Sequence, residues 1–168
     1  MINMLWSEEN KVVNAIIPVA DAWNSNPVVS DVVDCADYKR VTFLIITGAT
    51  SAVAPVVTVL AGISKDSCTT AIIFKYRTQI AGTPPAALSD VPSALINATV
   101  DGFSMTGSKP GGLYIIEVDV REVAEGGTQF DHVALNIDEN ADTAQTGCVI
   151  AILSEPRYPQ AVLKTAIG

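Results

Sequence analysis

The residues that could perform chemistry are few and scattered along this 168-residue chain. Histidine is the commonest general base, and the sequence has one, His132, on a predicted alternating strand. Alternation would point its neighbour Asp131 to the opposite face, so we expect no dyad between them. Glu117 and Asp119 share a strand face with Arg121, which is typical of a solvated row of charges. We therefore predict a protein that is not an enzyme. A jelly-roll hydrolase using Glu117 or Asp119 with His132 is the enzymatic alternative.

Residues 138–142, Asp-Glu-Asn-Ala-Asp, resemble the start of an EF-hand calcium loop. Thr143 stands where that loop needs glycine and Val149 where it needs a bidentate glutamate, so an EF-hand is excluded. A looser calcium site here is the alternative to an ordinary turn rich in Asp and Asn. Residues 107–112 lack the Gly-Lys-Ser/Thr ending of a phosphate loop and are predicted to form a hairpin loop. We expect no cofactor.

Charge and cysteine content narrow the partners and the compartment. Ten Lys and Arg against eighteen Asp and Glu give a net charge of -8, which argues against direct binding of nucleic acid. Cys35, Cys68 and Cys148 are far apart and form no CxxC pair. This pattern favours reduced structural thiols made in a cytoplasm over disulfides or a metal site.

An uncharged stretch, residues 41–64, raises the question of a membrane span. Small polar residues, a glycine and a proline divide it at residues 47–55 into two runs that are rich in β-branched residues and have the length of strands. We predict two buried strands and no membrane partner. The N-terminus turns acidic after a short apolar patch and is not expected to be a signal peptide.

The pattern of apolar and turn-forming residues predicts strands separated by turns along the whole chain, and it lacks the sustained 3.6-residue period of a helix. The predicted strands are residues 12–19, 28–35, 41–47, 56–63, 70–77, 94–105, 113–123, 130–137 and 147–153. Lys75 and Arg77 are predicted to face Glu117 and Asp119 if their strands are neighbours. We predict an all-β fold, a two-sheet antiparallel sandwich of jelly-roll type with extended N- and C-terminal arms. An immunoglobulin-like sandwich is the alternative.

This fold divides the chain into three parts: residues 1–27 as an N-terminal arm and first strand, 28–153 as the core, and 154–168 as a C-terminal arm. Residues 154–159, Ser-Glu-Pro-Arg-Tyr-Pro, should leave the sheet, because Pro156 and Pro159 lack backbone donors. The tail that follows is apolar, so we expect it to contact a neighbouring subunit. The alternative is that each arm folds back on its own sandwich and caps an edge.

The predicted subunit or capsid contacts are aromatic, proline, apolar and arginine residues of the arms and of the proline-containing loop 78–93. They are Trp6, Trp23, Pro84, Pro85, Pro156, Arg157, Tyr158, Pro159, Val162 and Leu163.

Three segments carry a resemblance to a known class: Phe-Lys-Tyr-Arg at 74–77, Ile-Ile-Glu-Val-Asp-Val at 115–120, and residues 154–159. Within an acidic β-sandwich sequence rich in small residues, they resemble small virion structural proteins of tailed bacteriophages, most closely capsid decoration, or cement, proteins. The resemblance implies a symmetric oligomer, often a trimer, that binds the major capsid protein or other virion proteins and stabilises the head. It also implies a virion location after assembly in the bacterial cytoplasm. The alternatives are a carbohydrate-binding or adhesion domain and a phage tail structural protein.

Overall fold

The computed structural model describes residues 5–23, 27–48, 54–80, 91–106, 111–125, 127–139, 144–157 and 165–167. A short helix, α1 (Trp6–Glu9), precedes the first strand, and 3₁₀ turns occupy Lys65–Ser67 and Val120–Glu122. The strands are β1 (Lys11–Val19), β2 (Val28–Val29), β3 (Val33–Asp34), β4 (Tyr38–Thr47), β5 (Val56–Gly62), β6 (Thr70–Ile72), β7 (Phe74–Gln79), β8 (Ile96–Ala98), β9 (Phe103–Ser104), β10 (Leu113–Asp119), β11 (Ala124–Glu125), β12 (Thr128–Gln129), β13 (His132–Asp138) and β14 (Gly147–Pro156).

Two antiparallel sheets of six strands each confirm the predicted all-β sandwich. Sheet A has the order β1-β14-β4-β10-β7-β8. Sheet B has the order β2-β13-β5-β6, with β3 also paired to β13 and β9 to β5. A separate hairpin joins β11 and β12.

Strand pairing is nested from the ends of the chain towards its middle. β1 pairs with β14, β2 and β3 pair with β13, β4 pairs with β10, and β5 pairs with β6. Along the chain, successive partners alternate between the two sheets, so a long antiparallel ribbon wraps around one core. This order is that of a jelly roll and decides against the immunoglobulin-like alternative.

The core lies between the sheets and follows from strict alternation along the central strands. In β4, Val41, Phe43 and Ile45 are fully buried, and β13 buries Val133, Leu135 and Ile137 in the same way. Successive side chains of a strand point to opposite faces, so every second residue of these strands enters the core. Burial of aliphatic and aromatic side chains at roughly 1.5–3 kcal/mol each is the main force that holds the two sheets together.

Four aromatic rings close one region of the sandwich. Phe103 of sheet B stacks on Tyr76 of sheet A with ring centroids 4.0 Å apart and an interplanar angle of 8°. Phe74 and Tyr114 pack against Phe103 at 6.1 and 5.7 Å. The Tyr114 hydroxyl accepts a hydrogen bond from the backbone N–H of Thr106 at 2.8 Å, so its polar end is satisfied inside the core.

Three predicted strands are interrupted in the structure. Residues 28–35 divide into β2 and β3, and residues 70–77 divide at Ile73 so that β6 lies in sheet B and β7 in sheet A. Residues 94–105 divide at a turn where Gly102, at φ +78°, brings its Cα close to the Val57 carbonyl oxygen. A Cβ there would lie 2.0 Å from that oxygen, so only glycine fits. These crossings depend on the packing of the two sheets, which local strand propensity does not encode.

Charged pairs across sheet A match the prediction in part. Lys75 lies opposite Glu117, as predicted. Arg77 lies opposite Ile115, and Asp119 lies opposite Arg40 of β4. The predicted pairing of Arg77 with Asp119 is therefore wrong. β7 and β10 are antiparallel, so two residues forward from Lys75 on β7 correspond to two residues back from Glu117 on β10.

A pair of adjacent residues on β4 provides a test of the alternation. Ile45 is fully buried, whereas Ile46 is 40% exposed on the opposite face. We expect Ile45→Ala to lower the free energy of unfolding by about 2–5 kcal/mol, because it leaves a cavity in the core. Ile46→Ala should cost less than about 1 kcal/mol. Urea unfolding followed by circular dichroism measures both, and equal losses would contradict the assignment of faces.

Candidate assembly surface

The outward side of sheet A is apolar over three cross-strand rows. Leu113, Ile46 and Cys148 form the first row, Ile115, Leu44 and Ile150 form the second, and Ile152 and Val12 continue the third from Thr42. We call these eight apolar side chains the apolar outer face. Val12 and Ile46 are exposed, and the other six are half-buried among one another. Strand spacings of about 4.8 Å and two-residue repeats of about 6.8 Å give the eight side chains roughly 260 Å².

This face arises because β4 and β14 are apolar at both alternating positions. Residues 148–153 read Cys-Val-Ile-Ala-Ile-Leu, and residues 43–46 read Phe-Leu-Ile-Ile. An antiparallel sheet with one solvated face normally alternates apolar with polar residues, whereas continuous apolar strands are typical of sheets covered on both faces. Sheet B is more polar on its outward side, where the Asn136 side-chain amide donates to the Thr58 hydroxyl at 3.2 Å. Sheet A therefore has the sequence pattern of a sheet that is covered on both faces.

Neither edge of sheet A is well suited to adding a strand. β1 forms one edge, and its pairing with β14 is irregular between Asn14 and Ile16 and again between Ile16 and Val19. Pro18 lies in the second irregularity and lacks a backbone donor. At the other edge, β8 has only three residues. Bulges, proline and short edge strands are features that oppose edge-to-edge pairing. These edges therefore favour contact with other chains through side-chain surfaces over contact by addition of a strand.

The N-terminal contact residues predicted from sequence lie in different environments. Trp6 is 57% exposed on α1, as a contact residue should be. Trp23 is fully buried and packs beside Gly147, where a Cβ would lie 2.5 Å from its ring. Its large apolar ring completes the chain's own core, which corresponds to the fold-back alternative. Trp23 therefore offers no surface to a neighbouring subunit in this structure.

The C-terminal segment follows the sheet further than predicted. β14 continues to Pro156, which lies opposite Tyr38, so the strand runs three residues beyond its predicted end at residue 153. Pro156 is tolerated because β1 pairs only as far as Leu153, so that among the described strands β14 has only β4 beside it at Pro156. Arg157 donates from its backbone N–H to Asp37 O at 2.8 Å and from Nε to Tyr38 O at 3.2 Å. Both bonds hold the strand end on its own chain.

The last described residues also fold back. Asp34 donates its backbone N–H to Ala166 O at 2.9 Å, and Ile167 forms a bridge with Val33 of β3. Ala166 is buried. These contacts correspond to the alternative in which the tail caps an edge of its own sandwich. The remaining predicted contacts lie outside the described residues: Pro84, Pro85, Tyr158, Pro159, Val162 and Leu163.

Charged side chains border the apolar outer face at one end. The Arg121 guanidinium donates two hydrogen bonds to the Asp119 carboxylate, from Nε to Oδ1 at 2.9 Å and from Nη2 to Oδ2. The Arg121 backbone N–H also donates to Oδ1. The Arg121 hydrogen bonds lower the pKa of Asp119 to about 2. Arg40 pairs with Glu155 at 3.6 Å. These groups form a solvated charged border, as the sequence predicted for Glu117, Asp119 and Arg121.

His132 has a partner that alternation did not predict. Its Nδ1 lies 2.6 Å from Asp131 Oδ1, so the expectation that the two side chains would diverge was wrong. Asp131 precedes β13 and is not held to the alternation of the strand. The nearby Cys68 thiol donates to the His132 carbonyl oxygen, and burial raises the pKa of this thiol to about 11, so it is a protonated structural group near pH 7. Glu117 and Asp119 lie in the other sheet.

The predicted turn at residues 138–142 is described only in part. Asp138 ends β13 and Glu139 is buried, whereas residues 140–143 lie outside the described part. Within the described residues, no group of three or more His, Cys, Asp or Glu side chains is arranged to hold a metal ion. The calcium alternative stays a prediction.

Comparison with known proteins adds no relative. No protein-family model matches the chain, and no curated protein matches it. Within the described ranges, no helix has the length and apolar character needed to cross a membrane.

The ion pair at Asp119 predicts a dependence of stability on pH. Its folded pKa of about 2 lies below the roughly 3.9 of an unfolded aspartate, so its contribution is present above about pH 5 and is lost as the pH falls towards 2. Asp119→Asn should therefore be less stable than the wild type at neutral pH, with the difference narrowing in acid. Urea unfolding at several pH values measures this, with Asp101→Asn on an exposed turn as control. A difference that does not change with pH would contradict the ion pair.

Proposed function

We propose that this chain is a non-enzymatic structural protein of a tailed-bacteriophage virion, a capsid decoration protein that oligomerises on the head surface and stabilises it. The observation that carries the proposal is the apolar outer face of sheet A. Seven of its eight side chains lie on β4, β10 and β14, which pair there without a break in register, and it faces away from the chain's own core. A patch of this kind marks a surface for contact with another protein.

The placement of the face supports a role in assembly rather than in catalysis. It lies on the rigid centre of the sheet, where β14 is paired on both sides by β1 and β4. Hydrophobic contact through the side chains of paired strands needs no mobile loops and is formed at little cost in conformational entropy. A repeated, permanent contact such as a capsid requires is well matched to such a surface.

Architecture and charge support the same class of function. The jelly roll is a fold used by viral capsid domains, although lectins and enzymes share it, so the fold alone does not decide. The net charge of -8 opposes contact with packaged DNA and favours a position outside the shell. The resemblance of residues 74–77, 115–120 and 154–159 to decoration proteins adds to this proposal.

The carbohydrate-binding alternative is less well supported by the surface. Sugar recognition commonly uses exposed aromatic rings, and among the aromatic side chains of the described residues Trp6 alone is exposed. Tyr76 is half-buried in its stack with Phe103. A single exposed ring on α1 is a poor platform for stacking a saccharide chain.

The proposal predicts that the protein is found on virus heads. Immunogold electron microscopy of purified particles, with antibodies against this chain, should label heads at regular positions. Particles from a deletion strain should lack the label and release DNA at lower temperature than the wild type. Label on the tail would replace the head assignment with a tail structural role, and absence from the particles would contradict the proposal.

The apolar outer face can be tested separately by rebinding. Particles from the deletion strain should bind added wild-type protein. Ile150→Glu should bind at least tenfold more weakly, because it places a charge at the centre of the face. Ile63→Glu is the matched control, since Ile63 is 58% exposed but lies outside the face. Equal binding of the two variants, both folded by circular dichroism, would show that the face is not the contact.

A further inference from the structure

The apolar outer face of sheet A carries no charged side chain. Its eight residues are four isoleucines, two leucines, a valine and Cys148, and Thr42 lies within its third row. Asn14, opposite Ile150, borders the face on the β1 side and is also uncharged. A partner surface therefore meets mainly methyl and methylene groups.

The charges at the end of the face beyond Thr42 are paired within the chain. The Arg121 guanidinium donates from Nε to the Asp119 carboxylate at 2.9 Å, and Arg40 lies 3.6 Å from Glu155. Opposite charges at such short range cancel much of the field that either would send across the face, and salt screens the remainder. This end of the border thus offers little attraction to an ion on a partner.

Two cations adjoin the face on the β7 side, and each has a neighbouring acceptor. Arg77 lies opposite Ile115 and donates from Nη1 to Ser93 O at 2.9 Å. Lys75 lies opposite Glu117. Opposite charges in facing positions of an antiparallel pair attract each other. Over the described residues, the border therefore presents mixed and engaged charges in place of a block of one sign.

The area of the face and the charge of the chain argue against a second free copy as its cover. The eight side chains span roughly 260 Å², whereas a stable dimer buries about 800 Å² on each partner. Two copies would also each bring a net charge of -8 to the contact, and like charges repel. A small contact is sufficient where linked subunits bind a repeating lattice, because the linked contacts reinforce one another.

We propose that the apolar outer face binds an uncharged, apolar patch on the capsid surface, and that hydrophobic contact, not ion pairing, supplies the affinity. This inference rests on the proposed function and names the chemistry of the partner surface. Hydrophobic contact weakens on cooling and is strengthened by sulfate. Attraction between charged surfaces falls steeply with ionic strength, so the two kinds of partner give different responses.

Charges of either sign at one position test whether the partner patch is charged. Ile46 is exposed in the middle of the first row, so Ile46→Glu and Ile46→Lys should both fold. Both should bind particles from the deletion strain at least about tenfold more weakly than the wild type. Ile63→Glu and Ile63→Lys are the matched controls and should bind as the wild type does. Weakening by one sign with strengthening by the other would overturn the proposal.

Cys148 allows the same test on the wild-type sequence. Cys35 and Cys68 are buried, whereas Cys148 is partly exposed on the face. Burial raises the pKa of the Cys148 thiol, so alkylation is run in mild alkali. Iodoacetate adds a carboxylate, and iodoacetamide adds a neutral amide of nearly the same size. The carboxymethylated protein should bind several-fold more weakly than the carbamidomethylated protein, and equal or stronger binding would contradict an apolar partner.

The response to salt and temperature tests the driving force. Between about 0.05 and 0.5 M NaCl, the affinity for the particles should change by less than about threefold. Ammonium sulfate should strengthen binding, and cooling should weaken it. A loss of about tenfold or more in NaCl would show that ion pairing supplies the affinity.

Light scattering of the free protein distinguishes the capsid from a second copy as the cover. Ile46→Glu should have the same solution mass as the wild type, and dissociation of an oligomer by this substitution would assign the face to self-association. These outcomes are separable from those for the proposed function. If the wild type does not bind the particles, the virion role fails. If it binds them with a steep dependence on NaCl, only the chemistry of the contact fails.

Discussion

The structure depends on two central strands that are apolar on both faces. β4 and β14 send one set of side chains into the core, where Phe43, Ile45 and Leu153 are fully buried, and the other set to the outside of sheet A. The inner set builds the sandwich. Sheet B packs on the inner side of sheet A, so within the described chain it does not cover the outer set. One pattern of residues thus accounts for both the core of the fold and the apolar outer face that we propose as a contact surface.

Nested pairing explains why the two ends of the chain belong to the fold. β14 lies between β1 and β4, so the strand nearest the C-terminus completes the sheet that the first strand begins. The Arg157 backbone N–H donates to Asp37 O and its Nε donates to Tyr38 O, and the Asp34 backbone N–H donates to Ala166 O, so the described residues after β14 are also held on their own chain. The C-terminal segment is therefore an edge cover for its own sandwich over the residues that the structure describes. At the N-terminal end, Trp6 on α1 is exposed, and at the C-terminal end Ile167 is 41% exposed.

The residues capable of chemistry are kept apart by the same topology. His132 lies on sheet B beside Asp131, whereas Glu117 and Asp119 lie on sheet A. Asp119 is held in an ion pair by Arg121. Burial raises the pKa of the Cys68 thiol, which lies beside His132, to about 11. Asp119, Asp131 and His132 are thus held in local pairs, and Cys68 is protected from ionisation. Among the residues that the structure describes, this arrangement does not bring His132 together with Glu117 or Asp119.

The sequence by itself determined the fold class and the strands that form the centres of the two sheets. Residues 41–47, 56–63, 113–123, 130–137 and 147–153 were placed correctly within a few residues, because alternation of buried and exposed side chains is a local signal. Only the tertiary structure decided where strands break and cross between sheets, as at Ile73 and Gly102, since these crossings follow from sheet packing. It also decided the environment of Trp23 and the contact between Asp131 and His132. Those features join residues distant in sequence, or free of strand alternation, and depend on which sheet each strand enters.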